Sequence, residues 1–407
     1  MRVVIIGQGY VGLTITAGSV GAGHEVIGVD KSEKIVHSLN NGKSHIEGIS
    51  DQFVADAVKK GLYRATTSFQ ASGDADVVVI AVPTPLDSSG LPDLTLLESA
   101  CESVAPYLNE KTLVINESTS YAGTLRNFIA KRIKDINPRV QLFAVSPERV
   151  DPGNEKYGVK NTPRLVGGMT KESADLAFSF YSTFCDNVVR VSSPEVAESA
   201  KLLENTFRFV NIGFISEFAQ LMNAMNIPVS EVISAASTKP YGFMPFFPNV
   251  GVGGHCIPVD PLYLQKNAED VGVKSRFIAL SESLNHEMPE YCVRRLEEVH
   301  GVLNGKSVLV VGVSYKPNIA DTRETPAEPV IALLKKKGAF VSFHDPLVAT
   351  FNGENSSPVD GKYDLALVLV NHGILDMKSW QGGPIYCVNA NKEHADWIPI
   401  LGINSLS

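Results

Sequence analysis

The sequence predicts an α/β protein: two Rossmann-like, doubly wound domains joined by a central long helix and a helical segment. Three observations carry that prediction. A short apolar run enters a glycine turn at residues 3–12, the same strand-then-glycine pattern restarts at residues 306–312, and residues 194–225 keep one helical periodicity with Gly213 as their only glycine. At 407 residues the chain exceeds one ordinary core. The expected boundaries are 1–192, 193–300 and 301–407.

Residues 3–6 read as a buried parallel strand, which runs into Gly7, Gln8, Gly9, Tyr10, Val11 and Gly12 and then into a helix-compatible stretch to about residue 22. Glycines at these spacings permit a tight turn, close backbone approach to a pyrophosphate and close helix-to-sheet packing, and the helix N-terminus faces the phosphates with free N–H groups. The next strand, residues 25–29, ends at Asp30, where a carboxylate can bind ribose hydroxyls. An acid there disfavours a 2′-phosphate, so the expected cofactor is NAD.

Further strands at residues 76–82 and 113–115 lead into Pro83-Thr84-Pro85 and Asn116-Glu117-Ser118-Thr119. Polar loops at strand C-termini are where ligands of open α/β sheets bind. Taken by itself, Thr119 reads as a satisfied loop hydroxyl. Ser146-Pro147-Glu148-Arg149 follows another strand; Glu148 is either half of a solvated ion pair with Arg149 or an acid/base group. Strands at residues 164–166 and 188–191 complete this half.

In the long helix Val196, Ala200, Leu203, Phe207, Val210 and Phe214 recur at helical spacing, and Lys201 and Asn205, four residues apart, share a face. A helical Lys is usually solvated; paired with Asn it can instead donate to a developing oxyanion. The aromatic, proline-punctuated loop 239–248, with Tyr241, suits a ligand lid or plain packing. It runs into Asn249 to Pro261, where Gly251, Gly253 and Gly254 precede Cys256, and Pro258, Asp260 and Pro261 follow. Flexible residues before a cysteine and rigid ones after it suit a presented nucleophile, while a free cysteine is ordinarily a small buried hydrophobe. Both readings stand on this stretch alone. A Cys256–His255 dyad is not expected, since neighbours in an extended segment point apart.

The last third repeats the pattern, with a helix at residues 327–337 and strands at 340–343, 364–370 and 385–388. A ligand cleft between the two α/β domains is expected. The loop after Gly312 lacks a second fingerprint glycine and supplies Lys316 and Arg323, which are either surface cations or a diphosphate clamp.

Composition excludes several classes. The formal net charge of −8 offers no general attraction to nucleic acid or anionic lipid, so no nucleic-acid and no membrane partner is expected. No run approaches the ~20 apolar residues of a membrane span and no signal-like lead precedes residue 3, which makes a cytoplasmic enzyme the expectation. Five scattered cysteines form no CxxC pair and the nine histidines no HExxH, so neither a disulfide frame nor a metal is expected.

Taken together, GQGYVG (7–12), VPTPLD (82–87), SPER (146–149), AKLLENTFR (200–208), GVGGHCIPVDP (251–261) and GVSYKPNIADTRETPA (312–327) resemble the UDP-sugar 6-dehydrogenase family, collinearly over nearly the whole chain. DPGN (151–154), KPYGFMPFFP (239–248) and GGHCIPVDP (253–261) are most similar to the UDP-N-acetylhexosamine dehydrogenases, UDP-N-acetylglucosamine 6-dehydrogenase in particular; UDP-glucose and UDP-N-acetylmannosamine are the alternatives. The resemblance implies oxidation of the sugar C6 alcohol to a carboxylate with two NAD in turn, in a cytoplasmic homodimer serving polysaccharide biosynthesis. It implies that residues 1–192 bind NAD, 193–300 form the dimerising and catalytic segment, and 301–407 bind UDP-sugar. Cys256 would form a thiohemiacetal and then a thioester; Lys201 and Asn205 would stabilise oxyanions; Asp260 would serve acid–base work; Glu148 and Thr119 would position or activate water. Gly7, Gly9, Tyr10, Val11, Gly12, Asp30, Thr84 and Thr119 would contact NAD. Glu148, Arg149, Lys201, Asn205, Tyr241, Gly253, Gly254, Lys316 and Arg323 would contact the UDP-sugar. The chain departs from the family pattern at Pro248-Asn249-Val250-Gly251 and at Val388-Asn389-Ala390-Asn391. Two other readings compete: a non-catalytic nucleotide-sugar-binding protein, and a 3-hydroxyacid-type dehydrogenase, which would need neither the cysteine loop nor the second α/β domain.

Overall fold

The apolar runs of the first half become strands of one sheet. In the computed structural model, which describes all residues except 47, 152, 153, 155, 390–393, 395 and 403–407, these are β1 (Arg2–Ile6), β2 (Glu25–Val29), β3 (Tyr63–Thr66), β4 (Val77–Ile80), β5 (Leu113–Asn116), β6 (Leu142–Val145), β7 (Arg164–Gly168) and β8 (Val188–Arg190). Their order is β3-β2-β1-β4-β5-β6-β7-β8. Strands β1 to β6 are mutually parallel; β7 pairs antiparallel with β6, and β8 pairs parallel with β7, so these two run the opposite way. The parallel register brings the C-terminal ends of β1, β2, β4, β5 and β6 to one edge, and the strand order reverses beside β1.

Alternation along β1 explains why both faces of this sheet are covered. Val3 and Ile5 pack with Leu13, Ile15, Phe180 and Tyr181 on one face. Val4 and Ile6 pack with Leu97, Val104, Leu125 and Ile133 on the other. Helices on both faces bury the central strands β1, β4, β5 and β6, which is why these are near-continuous apolar runs, while the edge strands β3 and β8 keep exposed residues.

The second sheet contains β9 (Ser307–Val311) and β10 (Phe340–His344), then, after a small hairpin of β11 (Thr350–Phe351) and β12 (Glu354–Asn355), β13 (Leu365–Val368), β14 (Ile385–Cys387) and β15 (Ile398–Pro399). Its order is β10-β9-β13-β14-β15, all parallel. Val308 and Val310 pack against the helices Arg276–His300 and Ala327–Lys336 through Met288, Leu296, Val330 and Leu334. Leu309 and Val311 face Trp397 and the stacked pair Tyr363 and Trp380, so a non-helical segment covers this side.

The chain divides into two compact units, Met1–Glu204 with Leu262–Val273, and Asn205–Pro261 with Lys274–Ser407. The helix Pro194–Ala224 contributes to both. Its buried residues include Ala197, Leu202, Phe209, Ile215 and Ala219, whereas the stripe that marked it in the sequence is largely solvent-facing: Leu203 is 64% exposed, Phe207 48% and Phe214 64%. The sequence periodicity therefore marked an outward face of this helix, not its buried one. No helix among the described residues is long and apolar enough to cross a membrane.

Ile5 has no exposed surface. Truncation to Ala is expected to destabilise the first unit by about 2–5 kcal/mol, measured as a lowered urea midpoint.

Candidate active site

Each fingerprint glycine has its own physical reason. Gly7, at φ +88°, would place a Cβ 2.4 Å from the Ala81 carbonyl oxygen, and Gly12 would place one 1.8 Å from that of Gly7. Gly9 meets nothing within 4 Å. The first and third are required by the chain's own packing, and the second leaves open space ahead of the helix Tyr10–Gly21, whose first turn carries Tyr10 and Val11. Asp30 is pinned there by the Gln8 N–H (2.8 Å) and the Ser32 N–H (2.9 Å). An open cradle, a helix N-terminus and a fixed strand-end carboxylate fit the pyrophosphate and ribose of NAD. Thr84, in the loop after β4, accepts from the Tyr263 hydroxyl through its carbonyl, at 3.1 Å.

The loops after β5 and β6 meet over a buried ion cluster. Arg164, on β7, donates to Glu117 Oε2 and to Glu148 Oε2, both at 2.8 Å, and its guanidinium lies over the Tyr181 ring. Tyr181 donates its hydroxyl to Glu117 Oε1. Glu148 Oε1 accepts the N–H groups of Arg149 and Val150 at 2.6 Å. Burial pushes Glu117 up to about 7 against the pull of Arg164. Burial pushes Glu148 up as well, but Arg164 and the two backbone donors outweigh it and hold this carboxyl below the usual range. Glu148 is thus no solvated partner of Arg149, which instead forks onto Glu204 at 2.6 and 3.0 Å and reaches the Pro163 carbonyl. Ser118, after β5, ties its loop to the one after β4 by bonding both the N–H and the carbonyl of Val82; Thr119 beside it is half-buried. Pro152 and Gly153 of the DPGN motif lie outside the described residues.

Glu198, on the long helix, accepts the N–H groups of Gly123 (2.6 Å) and Leu125 (2.9 Å) and so anchors the loop that follows Thr119. Burial pushes it up to about 7. Lys201, one turn further along, is half-buried. Asn205, another turn on, donates its amide to the carboxylate of Asp260, which is 1% exposed.

In the second unit the cysteine loop is a packed turn. Gly253 would drive a Cβ to 2.4 Å from the Glu324 carbonyl oxygen, and Gly254, at φ +85°, would drive one into the Tyr315 ring. The Gly254 N–H bonds the Arg323 carbonyl at 3.0 Å. These glycines therefore dock the loop onto the segment that carries Lys316 and Arg323. Asn285 grips Val252 at both its N–H and its carbonyl. Cys256 sits one turn ahead of Asp260, whose N–H bonds the Cys256 carbonyl at 2.8 Å. Because the segment is turned and not extended, Cys256 Sγ lies 2.9 Å from His255 Nδ1. The expectation that these neighbours point apart is corrected.

The other four thiols are buried. Burial pushes Cys101, Cys185 and Cys387 up to about 12, 11 and 12, and Cys292 further still. Cys256 is half-buried and stands apart from them.

Arg323 is exposed and pairs with Asp321, Nε to Oδ1 at 3.0 Å. Tyr241 is 71% exposed, with Lys239 Nζ 5.0 Å from its ring. Lys316 follows Ser314, whose hydroxyl bonds the Lys316 carbonyl. Asp345, at the end of β10, receives the N–H groups of Val313 and Ser314 on one oxygen and those of Leu347 and Val348 on the other, with His372 Nε2 at 3.2 Å. The two departures from the family pattern touch: Asn389 donates to the Pro248 carbonyl. Ala390 and Asn391 lie outside the described residues.

Within the first unit the structure gathers Gly7, Gly9, Asp30, Thr84, Thr119 and Glu148 onto loops at one sheet edge, with Gly12 in the first turn of the helix Tyr10–Gly21. Within the second it gathers Asn205, Cys256 and Asp260, and joins their loop to Lys316 and Arg323. Sequence reasoning missed Glu117, Arg164, Glu198, Asn285, Asp345 and His372. A charge inside an apolar strand, as at Arg164, was the available signal.

The chain matches the UDP-glucose/GDP-mannose dehydrogenase family in its NAD binding domain over residues 1–185, its central domain over 195–287 and its UDP binding domain over 309–381. It is 34% identical to UDP-N-acetyl-D-mannosamine dehydrogenase of Methanococcus maripaludis over 85% of this chain and 79% of that one. It is 32% identical to UDP-N-acetyl-D-glucosamine 6-dehydrogenase of Pseudomonas aeruginosa over 91% and 90%. The structure of a UDP-glucose dehydrogenase from Pyrobaculum islandicum superposes with a TM-score of 0.89 at 26% identity, covering 99% of this chain and 98% of that one.

Gly9→Ala is expected to keep the melting temperature and to weaken NAD binding at least about tenfold by titration calorimetry, whereas Gly12→Ala loses the fold's stability itself. Glu117 and Glu198 carry folded-state pKa values of about 7, above the ordinary carboxyl value of 4.5. The native state then binds more protons than the unfolded state between pH 4.5 and 7, so their contribution is fully present below 4.5 and is lost as pH rises through 7. Melting curves between about pH 5 and 8 should show that decline, and Glu198→Gln should flatten it.

Proposed function

Because this chain belongs to the UDP-glucose/GDP-mannose dehydrogenase family and is an NAD-dependent UDP-sugar 6-dehydrogenase, we propose that it oxidises C6 of a UDP-N-acetylhexosamine, UDP-N-acetylglucosamine favoured, through a covalent intermediate on Cys256. The observation that carries this reading is the state of the five thiols: four are buried with raised pKa values, and the fifth sits half-buried in a glycine-built turn directly ahead of Asp260.

NAD, held at Gly7, Gly9, Tyr10, Val11, Gly12, Asp30, Thr84 and Thr119, supplies the hydride acceptor for each of the two oxidations. The remaining work falls to side chains. Lys201 and Asn205, donors one turn apart on one helix, stabilise the oxyanion at C6. Cys256 adds to the aldehyde as a thiohemiacetal, so that the second oxidation yields a thioester instead of a released aldehyde. His255 Nδ1, 2.9 Å from the sulfur, is placed to take the thiol proton. Asp260, held by Asn205, serves proton transfer. Glu148 and Thr119 position the water that cleaves the thioester. In balance, the alcohol, two NAD⁺ and one water give the carboxylate, two NADH and three protons.

On the same reading Lys316 and Arg323 meet the diphosphate, and Tyr241, Arg149, Gly253 and Gly254 surround the sugar nucleotide, the glycines by setting the loop's course. Residues 1–192, 193–300 and 301–407 serve as NAD-binding, central and UDP-sugar-binding domains. The exposed stripe of Leu203, Phe207 and Phe214 supports a homodimer formed by the central helix. A cytoplasmic role in polysaccharide biosynthesis is part of the same proposal.

Turnover should give two NADH per sugar consumed. One NADH with a stable free aldehyde rejects the scheme. Cys256→Ser is expected to lose acid formation by at least about 100-fold, and wild-type turnover in it removes Cys256 from the role. Comparing turnover on UDP-N-acetylglucosamine, UDP-N-acetylmannosamine and UDP-glucose decides the sugar.

A further inference from the structure

Resting on the reading that Glu148 serves the hydrolytic water, we propose that Arg164 and Glu117 are positioning residues for acid release: they keep Glu148 an ionised, immobile acceptor that orients the water without taking its proton.

A carboxylate offers about four lone-pair positions. On Glu148 two are taken at Oε1 by the N–H groups of Arg149 and Val150, and one at Oε2 by Arg164. One position on Oε2 is left, which suits a single water hydrogen. Charge-assisted bonds of this kind also lower basicity, and a weak base is a poor proton acceptor near neutral pH. In the step concerned, the water oxygen bonds to the acyl carbon and the carbon–sulfur bond breaks with its electron pair passing to Sγ. One water proton ends on sulfur, and the other is released as the product acid ionises. Glu148 keeps its charge throughout.

Glu117 explains how a third buried charge is tolerated. Glu117, Arg164 and Glu148 are 1%, 3% and 8% exposed. Two ionised carboxylates on one guanidinium would leave a net buried anion. Protonation of Glu117, faced by Arg164 from β7, Glu148 from the loop after β6 and Tyr181 from the helix Lys171–Tyr181, leaves a neutral Arg164–Glu148 pair. Cys185, its thiol pushed up by burial, is the other titratable neighbour of Arg164.

The test is single-turnover kinetics on the full chain with NAD and the UDP-sugar it turns over, following NADH and the acyl-enzyme mass from about pH 6 to 9. In Arg164→Gln the orphaned Glu148 becomes protonated. NADH formation is expected to persist while acid release falls at least about 100-fold near pH 6 and recovers towards pH 9. A merely structural loss would slow every step alike at every pH, and that result overturns the proposal. Arg164→Lys keeps the charge and is expected to keep the wild-type pH position with slower release. Glu117→Gln, neutral throughout, is expected to abolish any change in acid release across pH 7. Should Arg164→Gln fail to fold, wild-type rates in Arg164→Lys with a wild-type profile in Glu117→Gln overturn the proposal. Glu148→Gln is the control: slow release at every pH sustains the underlying reading, and wild-type release refutes that reading itself.

Discussion

In each unit a backbone N–H just past a left-handed glycine is caught by a carboxylate from the end of the neighbouring parallel strand: Gln8 by Asp30 after Gly7, and Val313 by Asp345 after Gly312. The rest depends on this contact. It closes the turn at the end of the first strand of each unit, fixes where the next chain segment starts, and sets the sheet edge at which the functional loops emerge. A parallel sheet brings every C-terminal end to that edge, but without the closed turn the ends would not share a common floor.

Charge burial follows from the same geometry. Short strands end abruptly in polar residues, so Glu117 follows β5 and Glu148 lies just past β6, with Arg164 on the adjoining β7 to meet both. Buried ions of this kind contribute little net stability, since desolvation offsets attraction. Their value here is directional. Rigid neighbours surround each oxygen, and the side chains cannot swing away. The same holds for Glu198, whose two backbone bonds fasten the segment beyond Thr119.

Strands and the long helix were legible in the sequence because each is a local pattern: short apolar runs ending in glycine, proline or polar residues, and a helical period from residue 194 onward. Gly7, Gly9 and Gly12 were legible because turn chemistry admits few residues. The family likeness, now established by matches in all three domains, was legible in the collinear motifs. What escaped was non-local. Nothing near Arg164 announces that Glu117, 47 positions earlier, lies against it, nor that Asn285 steadies the loop of Cys256. The contact between His255 and Cys256 escaped for another reason: backbone turned between glycine and proline does not follow the alternation of a strand.

Asp30 and Asp345 occupy corresponding places in the two α/β sheets, yet their surroundings differ. Asp30 spends its bonds on two N–H groups and remains half-buried; Asp345 is 3% exposed and is enclosed by four N–H groups and a histidine. A repeated scaffold has thereby diverged: the second carboxylate has its oxygens taken by the protein's own donors, where the first leaves room beside it. On the proposed reading its ligand is met by other chemistry, that of the two cations beyond Gly312.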